Sequence, residues 1–279
     1  MTHHNIQKLG ILAGGGDLPQ VLAQSCQEQG INVFVVGFEG QSDEVFLSNY
    51  DHLKAKLGQV GKIIKAFKSQ GIKDLVMIGS IQRPSFSEII PDLKAAKFLA
   101  KNGMKAMGDS DLLSALKAFL EDEGFTLHGI QDFVPSLLAP EGVMTKAQPS
   151  KDDMLDIQRG VVVLKEMASL DVGQAAIVQE GLVLGVEAIE GTAALIERCA
   201  ALKRKGRQGA LVKLCKPQQD VALDLPTIGL KTIQAVHENG FGGIVVQAQK
   251  SLIHDKEALV SYADKHNLYV VGVDPDKLL

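Results

Sequence analysis

Short apolar stretches that alternate with helical periodicity are the feature that most restricts how this chain can fold. Leu9–Ala13, Ile31–Phe38 and Asp74–Ile78 are nearly continuous in apolar residues, as strands buried on both faces of a parallel sheet are. Val60–Gln70 lies between the last two and places its apolar residues on one helical face. The alternation predicts an α/β fold with an N-terminal Rossmann-like domain, built on a parallel sheet, over residues 1–135.

A second α/β domain is predicted after a linker. The length of 279 residues fits two domains of ordinary size. We expect a linker at 136–150, because the chain around it is punctuated by Pro135, Pro140, Gly142 and Pro149. Residues 151–279 predict a domain with a mixed sheet, since Gln174–Gln179 and Val183–Ala188 are two strands joined through the hairpin-like Glu180-Gly181.

Composition and charge exclude several classes of protein. The net charge of −4 argues against a general nucleic-acid-binding protein. The longest apolar runs are far too short to span a membrane, and the first residues lack the basic and apolar regions of a signal peptide. Cys26, Cys199 and Cys215 are widely separated without zinc-binding spacing, so reduced thiols in a cytoplasmic protein are expected.

Glycines follow the first and third predicted strands. Gly14-Gly15-Gly16-Asp17 is a turn whose backbone N–H groups can surround a phosphate, and its aspartate fits the N-cap of the next helix. The alternative is that these glycines only permit a tight turn. Gly79-Ser80 ends the third strand, at the edge where such sheets bind ligands, and Arg83 follows as a candidate partner for a phosphate.

The loop Lys213–Gly229 concentrates charged residues after another predicted strand. That strand is expected to start near Gly209 and to stop at Lys216-Pro217, because proline cannot donate to a sheet. The loop then carries two lysines and two aspartates, which can together bind a phosphate and a divalent cation; these are Lys213, Lys216, Asp220 and Asp224. The alternative is a solvated turn in which Asp220 bonds to the local backbone.

Several segments, taken together and in order, resemble a known family. They are Gly10–Pro19, Gly79–Pro84, Gly108–Leu113, Leu170–Gln174, Val186–Thr192 and Asp224–Gly229. With these segments the chain is similar to the cytosolic UDP-2,3-diacylglucosamine pyrophosphatases of lipid A biosynthesis, in their alphaproteobacterial form. The resemblance covers nearly the whole chain.

The resemblance implies hydrolysis of UDP-2,3-diacylglucosamine to UMP and 2,3-diacylglucosamine 1-phosphate (lipid X). It implies water attack on the α-phosphate assisted by Mg²⁺, for which Mn²⁺ can substitute. By position it makes Asp224 the catalytic and metal-binding residue. It places on the substrate-contacting segments Asp17, Gly79, Ser80, Asp109, Gln174, Thr192, Lys213 and Lys216. From the residues alone, Asp109 or Ser110 is expected to cap the following helix in preference to binding a metal.

The implied partners follow from the substrate. The family pattern implies two domains that close over a lipid-linked UDP-sugar, a homodimer, and a cytoplasmic protein in transient contact with the inner membrane surface. Two alternatives stay open. One is a nucleotide-sugar or NAD-dependent oxidoreductase with Glu39 as ribose acceptor, weakened because Pro19 replaces the third glycine of a dinucleotide fingerprint. The other is a non-catalytic lipid-binding protein.

Overall fold

The chain divides into two structural units. A computed structural model describes residues 6–82, 90–102 and 109–278. The first unit is Met1–Pro135 with Asp220–Leu223, and the second is Ser136–Gln219 with Asp224–Leu279. Part of the charged loop is therefore counted with the first unit, which a division by chain order does not anticipate. Arg83 and Gly108 lie outside the described residues.

The first unit contains a parallel sheet. Its strands are β1 (Lys8–Ala13), β2 (Asn32–Phe38), β3 (His52–Ala55), β4 (Asp74–Ile78) and β5 (Thr126–His128). All neighbours pair in parallel, in the order β3-β2-β1-β4-β5. The predicted Rossmann-like sheet is confirmed. Strand order reverses between β1 and β4, and such a reversal opens a crevice at the carboxyl ends of the strands.

Six helices are described in this unit. They are α1 (Leu18–Glu28), α2 (Glu44–Ser48), α3 (Val60–Ser69), α4 (Leu93–Asn102), α5 (Asp109–Asp122) and α6 (Ile130–Phe133). On α3 the predicted apolar face is buried, and Phe67 is fully inaccessible. Its ring meets those of Phe34 and Phe125 edge-on, with centroids 6.1 and 6.0 Å away. Truncating Phe67 to alanine would cost about 3–5 kcal/mol of stability.

The second unit contains a mixed sheet, as predicted. Its strands are β6 (Gly142–Val143), β7 (Ala175–Gln179), β8 (Leu182–Val186), β9 (Ala210–Lys213), β10 (Thr227–Ile228), β11 (Gly243–Gln247), β12 (Leu252–Ile253) and β13 (Tyr269–Val273). The main sheet has the order β6-β13-β11-β9-β7-β8, and β10 pairs with β12 separately. β9, β11 and β13 are parallel, whereas β6, β7 and β8 pair antiparallel with their neighbours.

Local signals explain several elements of this unit. β7 and β8 form a hairpin through Glu180 and Gly181, both with positive φ (51° and 75°), as type I′ turns require. The helices are α7 (Lys151–Ala168), α8 (Gly191–Ala200), α9 (Leu230–Glu238) and α10 (Lys256–Lys265). α7 begins at a capping box in which the Ser150 hydroxyl accepts the Asp153 N–H.

The stretch 136–150, predicted as a linker, is counted with the second unit. Within it Val143 of β6 pairs with Val271 of β13. The Met144 N–H also donates to the Val270 carbonyl at 2.9 Å. The prolines around it are compatible with this pairing because β6 is an edge strand.

The register of the second sheet brings four chain segments to one edge. Lys213, at the end of β9, lies beside Ala175 at the start of β7 and beside Val246 near the end of β11. β8 ends opposite Ala176. The residues just before β7 and just after β8 therefore meet the end of β9. Within the described chain, no helix combines the length and apolar character needed to cross a membrane.

Candidate functional site

A buried lysine is the centre of this edge. Lys213 is 7% exposed, and its Nζ donates to the Thr192 hydroxyl at 2.9 Å and to the Thr227 carbonyl at 3.4 Å. Burial lowers the pKa of Lys213, while the negative charges of Glu187 and Asp224 act in the opposite direction. A largely desolvated ammonium held by two hydrogen bonds is a fixed cationic anchor for an anion.

Glu187 supports the partners of this lysine. It follows β8, is 6% exposed, and accepts a hydrogen bond from the Thr192 hydroxyl at 2.6 Å. Its second oxygen accepts the backbone N–H of Gln174 at 3.1 Å. The sequence pattern gives Glu187 no role of its own, although it lies in the polar segment Val186–Thr192 that matches the family. Only the strand register reveals that it faces Lys213's partners.

Gln174 offers an open acceptor at the same edge. Its backbone carbonyl accepts the Leu214 N–H at 2.9 Å, which continues the pairing of β7 with β9. Its side-chain Oε1 is buried and has no hydrogen-bond partner among the described residues. An orphaned buried oxygen is unfavourable unless a ligand or water satisfies it. The predicted substrate contact at Gln174 therefore has a suitable atom.

The loop before β7 packs directly on the turn after β8. Gly173 has a φ of 55°, and a Cβ there would lie 1.9 Å from the Glu187 carbonyl oxygen. Asp171, in the same loop, accepts a 2.5 Å hydrogen bond from Lys216 Nζ. Lys216 is thus held at this loop, and part of its charge is already compensated.

Asp224 is held in place by the side-chain amide of Gln219. Its Oδ2 accepts a 2.7 Å hydrogen bond from Gln219 Nε2, and Gln219 is itself 7% exposed and anchored by the Lys216 N–H at 2.8 Å. Oδ1 of Asp224 has no partner among the described residues. No sequence pattern points to Gln219. The amide fixes the carboxylate's orientation while leaving one oxygen free to bind.

The donor set allows a magnesium ion held by one protein carboxylate. Among the described residues, no three His, Cys, Asp or Glu side chains come together as a metal cluster. Asp220 is occupied within the first unit, where it accepts from Lys117 Nζ at 2.5 Å and from the Ala222 N–H at 2.9 Å. The local backbone bond that the alternative interpretation of this loop gave to Asp220 is thus present. Asp224 remains, and Mg²⁺ commonly uses one or two carboxylates together with substrate oxygens and water.

The glycine turns of the first unit lie together at the ends of β1 and β4. The Gly14 N–H donates to the Ile78 carbonyl, and the Gly15 N–H donates to the Ser80 carbonyl, both at 2.8 Å. The Ser80 N–H returns a bond to Gly15 at 2.9 Å. A Cβ on Gly14 would lie 2.5 Å from the Ser80 carbonyl oxygen. These glycines therefore permit close backbone approach, and the N–H groups of Gly14 and Gly15 are already bonded.

The other predicted contacts of this unit are partly described. Asp17 is exposed at the N-cap position of α1, but within the described part of the chain its side chain makes no capping hydrogen bond. Gly79 has a φ of 98°, and Ser80 is exposed beside Gly15. Asp109 is the first residue of α5, and its side chain is outside what the structure describes.

Comparisons with known proteins agree across both units. The family models of the LpxI N-terminal domain and the LpxI C-terminal domain match residues 8–137 and 140–271. The UDP-2,3-diacylglucosamine pyrophosphatase LpxI of Caulobacter vibrioides is 38% identical over 279 residues, covering 98% of this chain and 99% of that protein. A solved biotin carboxylase domain of Hydrogenobacter thermophilus 2-oxoglutarate carboxylase matches 70% of this chain and 40% of its own at 11% identity. Its TM-score of 0.25 supports no inference.

Proposed function

The chain belongs to the LpxI family, and from this premise we propose that it hydrolyses UDP-2,3-diacylglucosamine to UMP and 2,3-diacylglucosamine 1-phosphate. One structural observation carries the proposal: the same unit holds a buried lysine with a donor to spare and an aspartate with one carboxylate oxygen unbonded among the described residues. Together they provide a cation for a phosphate and a carboxylate for a metal or a water.

Lys213 binds the pyrophosphate. An ammonium carries three N–H donors, and two of those on Lys213 have acceptors in Thr192 and Thr227. Among the described residues the third has none, so it is available to a phosphate oxygen. Because the side chain is almost fully buried, this contact is screened little by solvent. Lys216, held by Asp171, binds a second phosphate oxygen.

Asp224 would hold a bound divalent cation, and its carboxylate orients the attacking water. Mg²⁺, or Mn²⁺ in its place, neutralises charge on the pyrophosphate when bound. Gln219 keeps the Asp224 carboxylate in one orientation, so that its free oxygen is presented consistently. Water oxygen forms the new bond to the α-phosphorus, and the bond from that phosphorus to the bridging oxygen breaks. The bridging oxygen leaves on the sugar phosphate, and UMP retains the water oxygen.

The remaining assignments concern the ends of the substrate. We assign Gln174 and Thr192 to substrate contacts in the second unit, and to contacts in the first unit Asp17, Gly79, Ser80 and Asp109. Gln174 Oε1 accepts a substrate hydroxyl or amide proton, which satisfies its orphaned oxygen.

Contact with the inner membrane surface has a candidate patch. Leu170, Val172 and Ile189 are 71%, 37% and 105% exposed, on the two loops that pack together through Gly173. Exposed apolar side chains on adjoining loops are suited to insertion among acyl chains. The protein is proposed to be a cytoplasmic homodimer that touches the membrane transiently through this patch.

The test is incubation with UDP-2,3-diacylglucosamine in heavy-oxygen water, followed by mass analysis of both products. We expect UMP and lipid X with Mg²⁺ present, heavy oxygen in UMP alone, and no turnover in EDTA until Mg²⁺ or Mn²⁺ is restored. Label in the sugar phosphate would instead place the attack on the β-phosphorus. Undiminished turnover in EDTA would remove the metal from the proposal, and no turnover at all would favour a lipid-binding protein.

No structural observation favours the oxidoreductase alternative. Dinucleotide-binding turns offer free N–H groups to the pyrophosphate. Here the N–H groups of Gly14 and Gly15 donate to Ile78 and Ser80. Glu39, the proposed ribose acceptor, has Lys56 Nζ 4.0 Å from its carboxylate.

A further inference from the structure

The hydrogen-bond donors and acceptors that link Glu187, Thr192 and Lys213 are determined by the chemistry of their side chains. The ammonium of Lys213 can only donate, the carboxylate of Glu187 can only accept, and the hydroxyl of Thr192 between them has a single proton. Thr192 therefore donates to Glu187 at 2.6 Å and accepts from Lys213 at 2.9 Å. Reversing the hydroxyl would point its proton at the ammonium and abolish both bonds.

Glu187 also fixes the backbone on which the free amide acceptor stands. Its second carboxylate oxygen accepts the Gln174 N–H at 3.1 Å, and its own N–H donates to the Ala175 carbonyl at 2.8 Å. The carbonyl of Glu187 lies against Gly173, where no Cβ fits. One residue thus joins the loop before β7, the turn after β8 and the start of α8.

Burial makes this arrangement sensitive to its charges. Glu187 and Lys213 are 6% and 7% exposed, so each is unfavourable in the interior without the other. The charge of Glu187 opposes the loss of the Lys213 proton that burial favours. The same residue thus orients the lysine's partner and stabilises the lysine's charge.

We propose that Glu187 is a positioning residue, which acts through the Thr192 hydroxyl to hold the Lys213 ammonium toward the substrate phosphates. The inference rests on the proposed function, because the purpose of the positioning is to bind a pyrophosphate. Glu187 itself need not touch the substrate. Its effect should therefore depend on the presence of Lys213.

The primary test is Glu187→Gln, which preserves size and removes the charge. Thr192 and the Gln174 N–H donate to different oxygens of Glu187, and an amide has an NH₂ group in place of one of them, so one of the two bonds is lost in the same geometry. We expect kcat/KM for UDP-2,3-diacylglucosamine to fall about tenfold, as for the loss of one charge-assisted contact. Thr192→Val, which lacks the hydroxyl, should cause a similar loss, and Thr192→Ser should restore near-normal kinetics.

A second background separates positioning from general destabilisation. In the Lys213→Met variant, adding Glu187→Gln should change kcat/KM by less than about twofold, because no ammonium remains to be positioned. The matched control is Glu190→Gln in the same turn, whose carboxylate bonds to Arg198 and the Ala188 N–H instead. It should leave the kinetics of the wild type unchanged.

The possible outcomes distinguish failure of the positioning role from failure of the proposed function. Normal kinetics in Glu187→Gln, or an equal loss with Lys213 and with Met at this position, would overturn the positioning role while wild-type turnover leaves the proposed function standing. Equal losses in Thr192→Ser and Thr192→Val would likewise exclude the hydroxyl as the link. Absence of wild-type turnover would overturn the proposed function, and the positioning role with it.

Discussion

The two units present polar groups at their sheet edges in different ways. In the first unit the turns after β1 and β4 are joined backbone to backbone, through Gly14, Gly15 and Ser80. In the second unit the corresponding edge is joined by side chains, and three of them, Glu187, Lys213 and Gln219, are more than nine-tenths buried. A backbone junction tolerates exposure because it depends on shape. A network of charged and amide side chains interacts strongly only where it is shielded from solvent. Chemical selectivity is therefore concentrated at the sheet edge of the second unit.

The largest expected effect follows from removing the Asp224 carboxylate of the second unit. Asp224→Ala should lower kcat about a hundredfold or more, because it removes the proposed metal ligand and water-orienting group. Substrate binding should persist, so the variant should retain intact substrate where the wild type retains product. Single-turnover rates and the mass of bound ligand measure both.

A neighbouring aspartate provides the control for that experiment. Asp220→Asn removes a carboxylate that bonds to Lys117 and the Ala222 N–H, so it should alter stability more than turnover. If Asp224→Ala kept a near-normal kcat and lost only about 1 kcal/mol of stability, Asp224 would be a turn-capping residue.

The next largest effect is expected in the first unit, where disrupting the contact between the two glycine turns should lower stability. Gly79→Ala places a Cβ 2.7 Å from the Gly15 carbonyl oxygen at a φ of 98°, so the free energy of unfolding should fall by about 2–3 kcal/mol. Gly71→Ala is the matched control: its φ is also positive, at 69°, but a Cβ there meets no atom of the described residues within 4 Å. Denaturant unfolding of both variants isolates the close approach. Equal losses would show that backbone conformation alone explains Gly79.

The same contrast explains what the sequence could predict. Continuous apolar runs predicted β1, β2 and β4, and Glu180-Gly181 predicted the hairpin, because burial and turn geometry are local properties. β3, β6, β10 and β12 were not predicted, since segments of two to four residues are too short to carry a usable periodicity.

The candidate site likewise contains residues that the sequence predicted and residues that it did not. Lys213, Thr192 and Gln174 were selected by family resemblance, and the structure brings them to one sheet edge. Glu187 lies in a segment that matches the family but was given no role, and Gln219 lies outside every matching segment. Their roles arise from the register of β7, β8 and β9 and from the path of the loop. A buried network is a property of tertiary packing, which spacing along the chain does not encode.

A smaller effect compares two lysines within the second edge. Lys213→Ala and Lys216→Ala should each lower kcat/KM about tenfold, or about 1.4 kcal/mol, if both bind phosphate. The effects should respond differently to salt, because Lys213 is nearly buried while Lys216 is paired with Asp171 closer to solvent. Steady-state kinetics at low and high ionic strength test this. Unchanged kinetics in either variant would return that lysine to a structural role.

The smallest expected effect concerns a carboxylate of the first unit that serves no proposed site. Glu123, 20% exposed, accepts hydrogen bonds from Lys68 at 2.8 Å and from Lys94, and these bonds lower its pKa below the usual value. A carboxyl group with a lowered pKa in the folded state stabilises the fold above its unfolded pKa, and the contribution is lost as pH falls through the folded value. Glu123→Gln should therefore reduce the free energy of unfolding by about 0.5–1 kcal/mol at neutral pH, as for a partly exposed ion pair. The difference from wild type should vanish in acid, and kcat/KM should not change. Denaturant unfolding across pH tests the sign; a difference that grew in acid would show that the two lysines do not stabilise the ionised form of Glu123.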